Sequence, residues 1–407
     1  MPRIAIDLQP LRASRDLRLL LTGEFLTGLG TQAALVALPF QLYTQTGSAF
    51  LTGLLGAVEL GPLIAAGLYG GAIADRMDRR RLLLLVQAGL VLTASALAAG
   101  ALAGEPPVWL LYVLGGALAG FGAVEGVTRT SIVPNLVAPE HVRGALALAY
   151  GLFHLCGIVG PAAGGLLIAA AGVEGAYIAD AASCLCLIAA AARMGPQLPH
   201  GEHADPTGIR RAIADGLRFV RGNQALKGSF AIDLAAMTFG MPRALFPVLS
   251  VSVYGTGAAG TGLLYAAVSA GSVAAVLTTG WLGGARRLGR IVVVAVVVWG
   301  LAVAVVGAVD SLWFAAALLT IAGAADSVSA VCRSTINQTV TPDALRGRMS
   351  SVFMIVVSGG PRLGDVEAGL VAALTSARFS VASGGLATVV GAALVVFAFP
   401  ALWSYDD

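Results

Sequence analysis

Apolar runs of about 20 residues or more, separated by short polar segments, fill almost the whole chain. A run of that length is enough for a helix to cross about 30 Å of hydrocarbon. The pattern therefore predicts an all-α membrane protein with twelve transmembrane helices. The predicted spans are 17–44, 50–75, 81–103, 108–133, 142–170, 173–193, 226–250, 260–284, 290–308, 311–335, 344–372 and 378–402.

The composition excludes most other classes of protein. Of the 407 residues, 57% are hydrophobic and 12% are charged, whereas a soluble domain carries about 25% charged residues. Because so few charges cannot cover a surface exposed to water, we set aside a soluble enzyme, a disulfide-linked scaffold, a disordered protein and a nucleic-acid binder. We expect the lipid bilayer around the chain and no nucleic-acid partner. The cysteines are expected to be small buried side chains; they are Cys156, Cys184, Cys186 and Cys332.

The distribution of arginine and lysine predicts the orientation. With the N-terminus inside the cell, the predicted cytoplasmic side holds all of the 25 basic residues except Arg243, Arg362 and Arg378. Basic residues accumulate on the cytoplasmic side of membrane proteins. We therefore expect both termini in the cytoplasm and place the chain as a multi-pass protein in the inner membrane of a bacterium.

The longest polar stretch divides the chain into three predicted parts. Residues 1–193 form an N-terminal half of six helices, residues 194–225 form a cytoplasmic linker, and residues 226–407 form a C-terminal half of six helices. Within the linker, 209–220 has the pattern of an amphipathic helix. His200 and His203 also lie there, and we expect them to belong to a solvated linker in preference to a metal site.

The two halves resemble each other in sequence. RTSIVPNLVAPEHVRG at 129–144 matches RSTINQTVTPDALRG at 333–347, and Gly160-Pro161 matches Gly360-Pro361. Charged residues and prolines at matched places indicate an internal duplication. Duplicated halves around a site at the middle of the bilayer are typical of secondary transporters.

The segment GGAIADRMDRRR at 70–81 resembles the signature of the major facilitator superfamily, G-x-x-x-D-R-x-x-R-R/K. The resemblance implies a twelve-helix fold of two pseudo-symmetric halves and a gating role for this loop. The residues that carry the motif are Gly71, Asp75, Arg76, Arg79 and Arg80. We expect Gly71 to permit close helix approach, and the family implies that Asp75 faces the start of the eleventh span near Asp343. Asp78 replaces a glycine of the family pattern, and a plain positive-inside anchor is the alternative interpretation.

Two further segments narrow the resemblance. GIVGPAAGG at 157–165 is similar to a pattern of the drug:proton antiporter branch, with Gly157, Gly160, Pro161 and Gly164 expected to pack span 142–170 against a neighbour. GGPRLGDVEAG at 359–369 is similar to a stretch of the enterobactin-type siderophore exporters, a group that shares many features with macrolide efflux proteins. The stretch 115–120 lacks the arginine that many proton antiporters of the superfamily place there.

Ionisable residues inside apolar spans are costly, so each is a candidate for function. Candidates for proton coupling are Glu59, Asp365, Glu367, Asp326 and Glu24, and candidates for a substrate cavity are Asp233, Arg362, Phe25, Phe121, Phe239 and Tyr265. Glu125 and Arg129, four residues apart, are expected to form a structural ion pair. Arg362 and Asp365 are close enough to pair, whereas Asp326 and Arg333 are judged too far apart. The alternatives are a buried structural network, ordinary packing for the aromatic residues, and simple solvation for Glu24 and Asp180.

These observations favour a monomeric secondary transporter that exports an amphipathic, siderophore-like small molecule by alternating access, coupled to proton influx. The alternatives are a multidrug or macrolide-type efflux pump, an importer, and a transport-dead protein that senses a ligand. An enzyme is not expected, because the four histidines form no triad with a nucleophile. No cofactor is expected either, since no G-x-x-x-x-G-K-[ST] nucleotide loop is present and Lys227 is the only lysine.

Overall fold

The computed structural model describes residues 8–198, 208–342 and 345–406. Every regular element in those ranges is helical. The first seven α-helices are α1 (Gln9–Ala13), α2 (Arg15–Thr46), α3 (Ala49–Ala74), α4 (Arg79–Leu102), α5 (Val108–Ile132), α6 (Val142–Ala192) and α7 (Gly208–Gly222). The others are α8 (Gln224–Phe239), α9 (Phe246–Val248), α10 (Gly257–Thr278), α11 (Leu288–Val306), α12 (Leu312–Val340), α13 (Arg346–Leu374), α14 (Ala377–Ala398) and α15 (Pro400–Trp403).

Ten helical stretches of the described chain are long and apolar enough to cross a membrane. One of them, Pro139–Ala192, covers two predicted spans. It bends at Ala171 and Gly172, where Gly172 has a φ of +71° that favours glycine. Helix α13 has 29 residues but is not one of these ten stretches. The all-helical membrane architecture is therefore established, while the number of twelve spans stays a prediction.

The polar stretch between the predicted halves contains a helix. Helix α7 at Gly208–Gly222 includes the predicted amphipathic segment 209–220. Asn223 then caps α8, because its side chain accepts a hydrogen bond from the Leu226 N–H. His200 and His203 lie outside the described residues.

The predicted span 226–250 corresponds to the membrane-length stretch Gln224–Val253, and the helical path of this stretch is interrupted. Helix α8 ends at Phe239, and a 3₁₀ turn, Arg243–Leu245, starts the next helical segment. Pro242 has no N–H and obstructs a regular helix at this point. The freed carbonyl of Gly240 accepts a hydrogen bond from the Trp299 indole N–H at 2.8 Å. Arg243 lies within the stretch Gln224–Val253, directly after this interruption.

The chain forms two compact units. The first comprises residues 1–41 and 61–206, and the second comprises 42–60 and 207–407. The core of the first unit contains Leu17, Leu20, Leu83, Ile132 and Leu187. The core of the second contains Ile232, Phe246, Leu264, Val296 and Trp299.

Small residues allow close helix contact in the first unit. A Cβ placed on Gly164 would lie 2.6 Å from the Ala33 Cα, and one on Gly160 would lie 2.5 Å from the Gln32 Cβ. Helices α6 and α2 therefore approach almost to backbone contact along this face. Pro161 is buried between the two glycines.

Three of the four cysteines are buried, but Cys186 is exposed, which corrects the expectation for that residue. Cys184 and Cys186 are two residues apart, so they point in directions about 200° apart around one helix. An apolar run does not by itself distinguish the two faces.

We expect Gly164→Ala to lower the free energy of unfolding by about 1–3 kcal/mol, because the new methyl group would press on the backbone of α2. Gly126→Ala is the matched control, since a Cβ there would have open space within 4 Å. Chemical unfolding of the purified protein in mixed micelles measures both. Equal stability of the two variants would contradict the tight α2–α6 contact.

Candidate functional site

The loop between α3 and α4 is held by the acidic residue that departs from the family pattern. Asp78 is the N-cap of α4, and its carboxylate accepts hydrogen bonds from the Arg80 N–H at 3.0 Å and the Gln197 N–H at 2.9 Å. An aspartate in this position stabilises the first turn of a helix. Asp78 therefore starts α4 and also fixes the segment after α6.

The arginines of the loop bind the ends of neighbouring helices. Arg79 donates to the Ser131 carbonyl at 2.8 Å and lies 3.8 Å from the Asp75 carboxylate. Arg80 donates to the carbonyls of Ala191 and Ala192 at 2.9 and 2.6 Å. Carbonyls at a helix C-terminus attract cations. These contacts tie α4 to the ends of α5 and α6.

Two other expectations for this loop concern the close helix approach at Gly71 and the partner of Asp75. The close approach of helices occurs at Gly70 and not at Gly71, which corrects the sequence interpretation. A Cβ on Gly70 would lie 3.3 Å from Val124, whereas one on Gly71 would meet only Val127 at 3.9 Å. Arg76 is exposed. Asp343, near which the family places the partner of Asp75, lies outside the described residues.

A cluster of polar and charged side chains links four helices of the first unit, α2, α4, α5 and α6. Arg129 of α5 lies 3.5 Å from the Glu24 carboxylate of α2, and its guanidinium lies 4.9 Å from the centre of the Phe153 ring. Glu125 accepts a hydrogen bond from the Gln87 amide at 2.9 Å. Arg129 and Glu125 thus each bind another helix, which corrects the expected isolated pair. The Glu24 side chain is only 8% exposed, so the solvated alternative is wrong for this residue.

Asp180 is also buried, at 1% exposure, and the expectation that it is solvated is wrong. Its carboxylate accepts a hydrogen bond from the Thr31 hydroxyl at 3.3 Å and lies 3.8 Å from the Cys184 sulfur. A buried carboxylate requires such donors. The local sequence contains no charge near Asp180 that could have indicated this environment.

In the second unit, Arg333 of α12 forms an ion pair with Asp233 of α8. Both side chains are buried, at 6% and 3% exposure. Arg333 also lies 3.8 Å from the Asp326 carboxylate, although the sequence interpretation judged that distance too large. Seven residues bring a helix back to nearly the same face, and side chains lean toward the helix N-terminus. The long arginine side chain therefore reaches Asp326.

The ion pairs of the two units correspond to each other. Arg129 and Arg333 are aligned in the internal repeat. Each pairs with a carboxylate on the first helix of its predicted half, Glu24 in one case and Asp233 in the other. The sequence indicated the matched arginines, but it did not indicate their partners.

A second group of charges surrounds the helix break at 240–242. Asp365 of α13 accepts a hydrogen bond from the Ala244 N–H at 3.1 Å and so caps the 3₁₀ turn after the break. Arg362 lies 3.3 Å from the Glu59 carboxylate of α3. The spacing in the sequence suggested that Arg362 pairs with Asp365 on the same helix. Its ion pair is instead with Glu59 on another helix.

Glycines of α3 explain this contact. A Cβ on Gly56 would lie 2.9 Å from the Arg362 carbonyl, and one on Gly53 would collide with the Asp365 carbonyl. The short distance between the α3 and α13 backbones brings Glu59 to Arg362. We call Glu59, Arg243, Arg362 and Asp365 the break cluster.

Arg243 is the member of the break cluster that the sequence interpretation missed. Its carbonyl accepts a hydrogen bond from the Tyr265 hydroxyl at 3.1 Å, and the next residue, Ala244, donates its N–H to Asp365. The Tyr265 ring packs edge-on against Phe246 with ring centres 4.9 Å apart. The Gly240-Met241-Pro242 sequence just before Arg243 was the available signal, because it interrupts an apolar run.

The other candidate residues have surroundings of their own. The Phe25 carbonyl faces the Cys156 sulfur at 3.5 Å, and the Phe121 ring packs against Gly89 of α4. Phe239 is 38% exposed at the end of α8, and Glu367 is partly buried on α13. No group of three or more metal-binding side chains occurs in the described ranges. A role in transport for these residues stays a prediction.

Long apolar helices, buried interhelical ion pairs and an interrupted helix beside charged groups define a multi-pass membrane transporter. The fold is similar to that of the nucleoside transporter NupG, with a TM-score of 0.70 and 13% identity over 96% of this chain and 100% of that one. The chain belongs to the major facilitator family described as transmembrane secretion effector, which matches residues 5–406.

Similar proteins in bacteria also support the class of membrane transporters. The enterobactin exporter EntS of Salmonella typhi is 28% identical over 95% of this chain and 92% of its own length. The enterobactin exporter EntS of Shigella boydii serotype 4 (strain Sb227) is 27% identical over 96% of this chain and 94% of its own. The protein is therefore a membrane transporter and not an enzyme.

We expect Arg333→Gln to lower the free energy of unfolding by about 3–5 kcal/mol, because it leaves the buried Asp233 carboxylate unpaired. The double variant Arg333→Gln/Asp233→Asn should recover more than half of that loss. Arg378→Gln is the control. It removes an ion pair with Asp310, which is 84% exposed, and should change stability by less than about 1 kcal/mol. Additive losses in the double variant would contradict a coupled buried pair.

Proposed function

We propose that the protein exports an amphipathic, siderophore-like small molecule from a bacterial cell, and that export is coupled to proton influx across the inner membrane. Alternating access of the transport site to the two sides of the membrane is part of this proposal. The observation that supports it best is the break cluster. It combines an interrupted helix with two carboxylates and two arginines inside the spanning region. Interrupted helices beside charged groups are a feature of transporter sites.

Protonation of Glu59 would change the contacts of the break cluster. The Glu59 and Arg362 side chains are each 21% exposed, so their ion pair is within reach of water. A proton on Glu59 removes its charge and leaves Arg362 without that partner. A proton on Asp365 would likewise weaken the hydrogen bond from the Ala244 N–H. Either event alters how α13 binds α3 or the helix break, which links proton uptake to movement of helices.

Competition for Glu59 offers a route to antiport. A hydroxyl group of the substrate would donate a hydrogen bond to ionised Glu59, whose carboxylate Arg362 holds in place. A proton on Glu59 would weaken this acceptor and displace the substrate. Proton and substrate would then favour different states, as exchange requires. The names of the relatives, enterobactin exporters, are the basis for the siderophore class of substrate.

We expect Glu59→Gln and Asp365→Asn each to reduce substrate-driven proton flux about tenfold or more, since each removes a group that carries or senses the proton. The assay uses inverted membrane vesicles with a pH gradient and follows its dissipation after addition of an iron-free catechol siderophore. Asp310→Asn, an exposed carboxylate outside the break cluster, is the control and should behave as the wild type.

The same vesicles distinguish the alternative functions. Dissipation by a lipophilic cation drug but not by the siderophore would replace the proposal with multidrug efflux. Binding of the siderophore without any dissipation would favour an importer, a different coupling ion or a transport-dead sensor. Wild-type flux in both variants would reject the assignment of coupling to the break cluster.

A further inference from the structure

A groove lies on the second unit, away from the break cluster. Helices α10 and α11 form its sides and α12 forms its floor. Its volume is about 1,210 Å³, including the open side. Alanines are the reason it is not filled, because Ala274 and Ala275 line one side and Ala324 and Ala325 lie on the floor. Small side chains leave a channel between helices where larger residues would pack together.

The groove is apolar along its length and cationic at one end. Val294, Val298 and Ile321 contribute to the lining and are 55%, 39% and 50% exposed. Arg290 stands at the end where α11 begins. Its guanidinium lies 5.4 Å from the centre of the Trp403 ring, a stacking contact that holds the arginine in place. Arg286 and Arg287, just before α11, are exposed and add positive charge near this end.

The dimensions of the groove match one leaflet of a bilayer. From Arg290 to Val298 the helix rises about 12 Å, close to the roughly 15 Å thickness of half the hydrocarbon layer. The basic residues predict that the Arg290 end faces the cytoplasm. The groove would then extend from the inner surface toward the middle of the bilayer.

We propose that this groove binds an anionic glycerophospholipid of the inner leaflet, with an acyl chain between α10 and α11 and the phosphate on Arg290. The apolar lining matches the chain, and the arginine at the end matches the negative headgroup. Juxtamembrane arginines attract anionic lipids. The lipid would contact both α10 and α11 along the groove. This site is independent of the substrate and of the proposed function.

The test is native mass spectrometry of the full chain released from nanodiscs that contain equal amounts of phosphatidylglycerol and phosphatidylcholine. We expect the wild type to retain one phosphatidylglycerol molecule in preference to phosphatidylcholine. Arg290→Gln should reduce that preference about fivefold, while Arg290→Lys should keep most of it. Arg378→Gln, in the first turn of α14 and outside the groove lining, is the control for loss of one arginine and should retain the wild-type preference.

A second pair of variants tests the apolar part of the groove. Ala274→Phe would fill it from α10 and should abolish retention of the lipid. Ala393→Phe is the matched control, because Ala393 is also an exposed alanine on a long helix but does not line the groove. This pair decides the question even if Arg290→Gln fails to fold after losing its contact with Trp403.

Three results would overturn the proposal. One is equal retention of the two lipids by the wild type. Another is equal behaviour of Arg290→Gln and Arg378→Gln, or of Ala274→Phe and Ala393→Phe. The third is a protein dimer in the spectra that disappears in Ala274→Phe, which would make the groove an interface between two copies of the chain.

Discussion

The structure of each unit depends on an arginine that lies among apolar helices and must meet a carboxylate from another helix. Arg129 binds Glu24 in the first unit, and Arg333 binds Asp233 in the second. A charge in hydrocarbon without a partner costs several kcal/mol. A pair between two helices fixes their rotation and their register, whereas a pair within one helix leaves both free. The ion pairs therefore determine which helices are neighbours, and lipid-facing apolar surfaces impose no comparable choice.

Glycines determine how close those neighbours come. At Gly164 the backbone of α2 is in contact range, and at Gly56 the α3 backbone lies against the Arg362 carbonyl. The second contact has a chemical consequence, since only a short helix separation allows Glu59 to reach Arg362. Side chains of ordinary size at these positions would separate the helices and lengthen the ion pair. In this part of the molecule the ion pair therefore depends on the close packing of the helices.

Properties that depend on local composition could be predicted from the sequence. The predicted span 290–308 and the observed α11 at Leu288–Val306 differ by two residues at each end, because hydropathy is a property of the segment itself. The partners of Glu24 and Asp180 could not be predicted, because they lie on helices far away in sequence. Two failures were avoidable. Gly240-Met241-Pro242 is a recognisable interruption, and Asp326 and Arg333 share a helix face by their spacing alone.

The two units share an arrangement of charged side chains in addition to their repeated sequence. Each arginine lies near two acidic side chains. Arg129 binds Glu24 of another helix and follows Glu125 by four residues, while Arg333 binds Asp233 of another helix and lies 3.8 Å from Asp326. One guanidinium carries a single positive charge, so each set holds one carboxyl group more than its arginine balances. The shared arrangement of one arginine and two carboxyl groups therefore extends the similarity of the units from the repeated sequence to the contacts between helices.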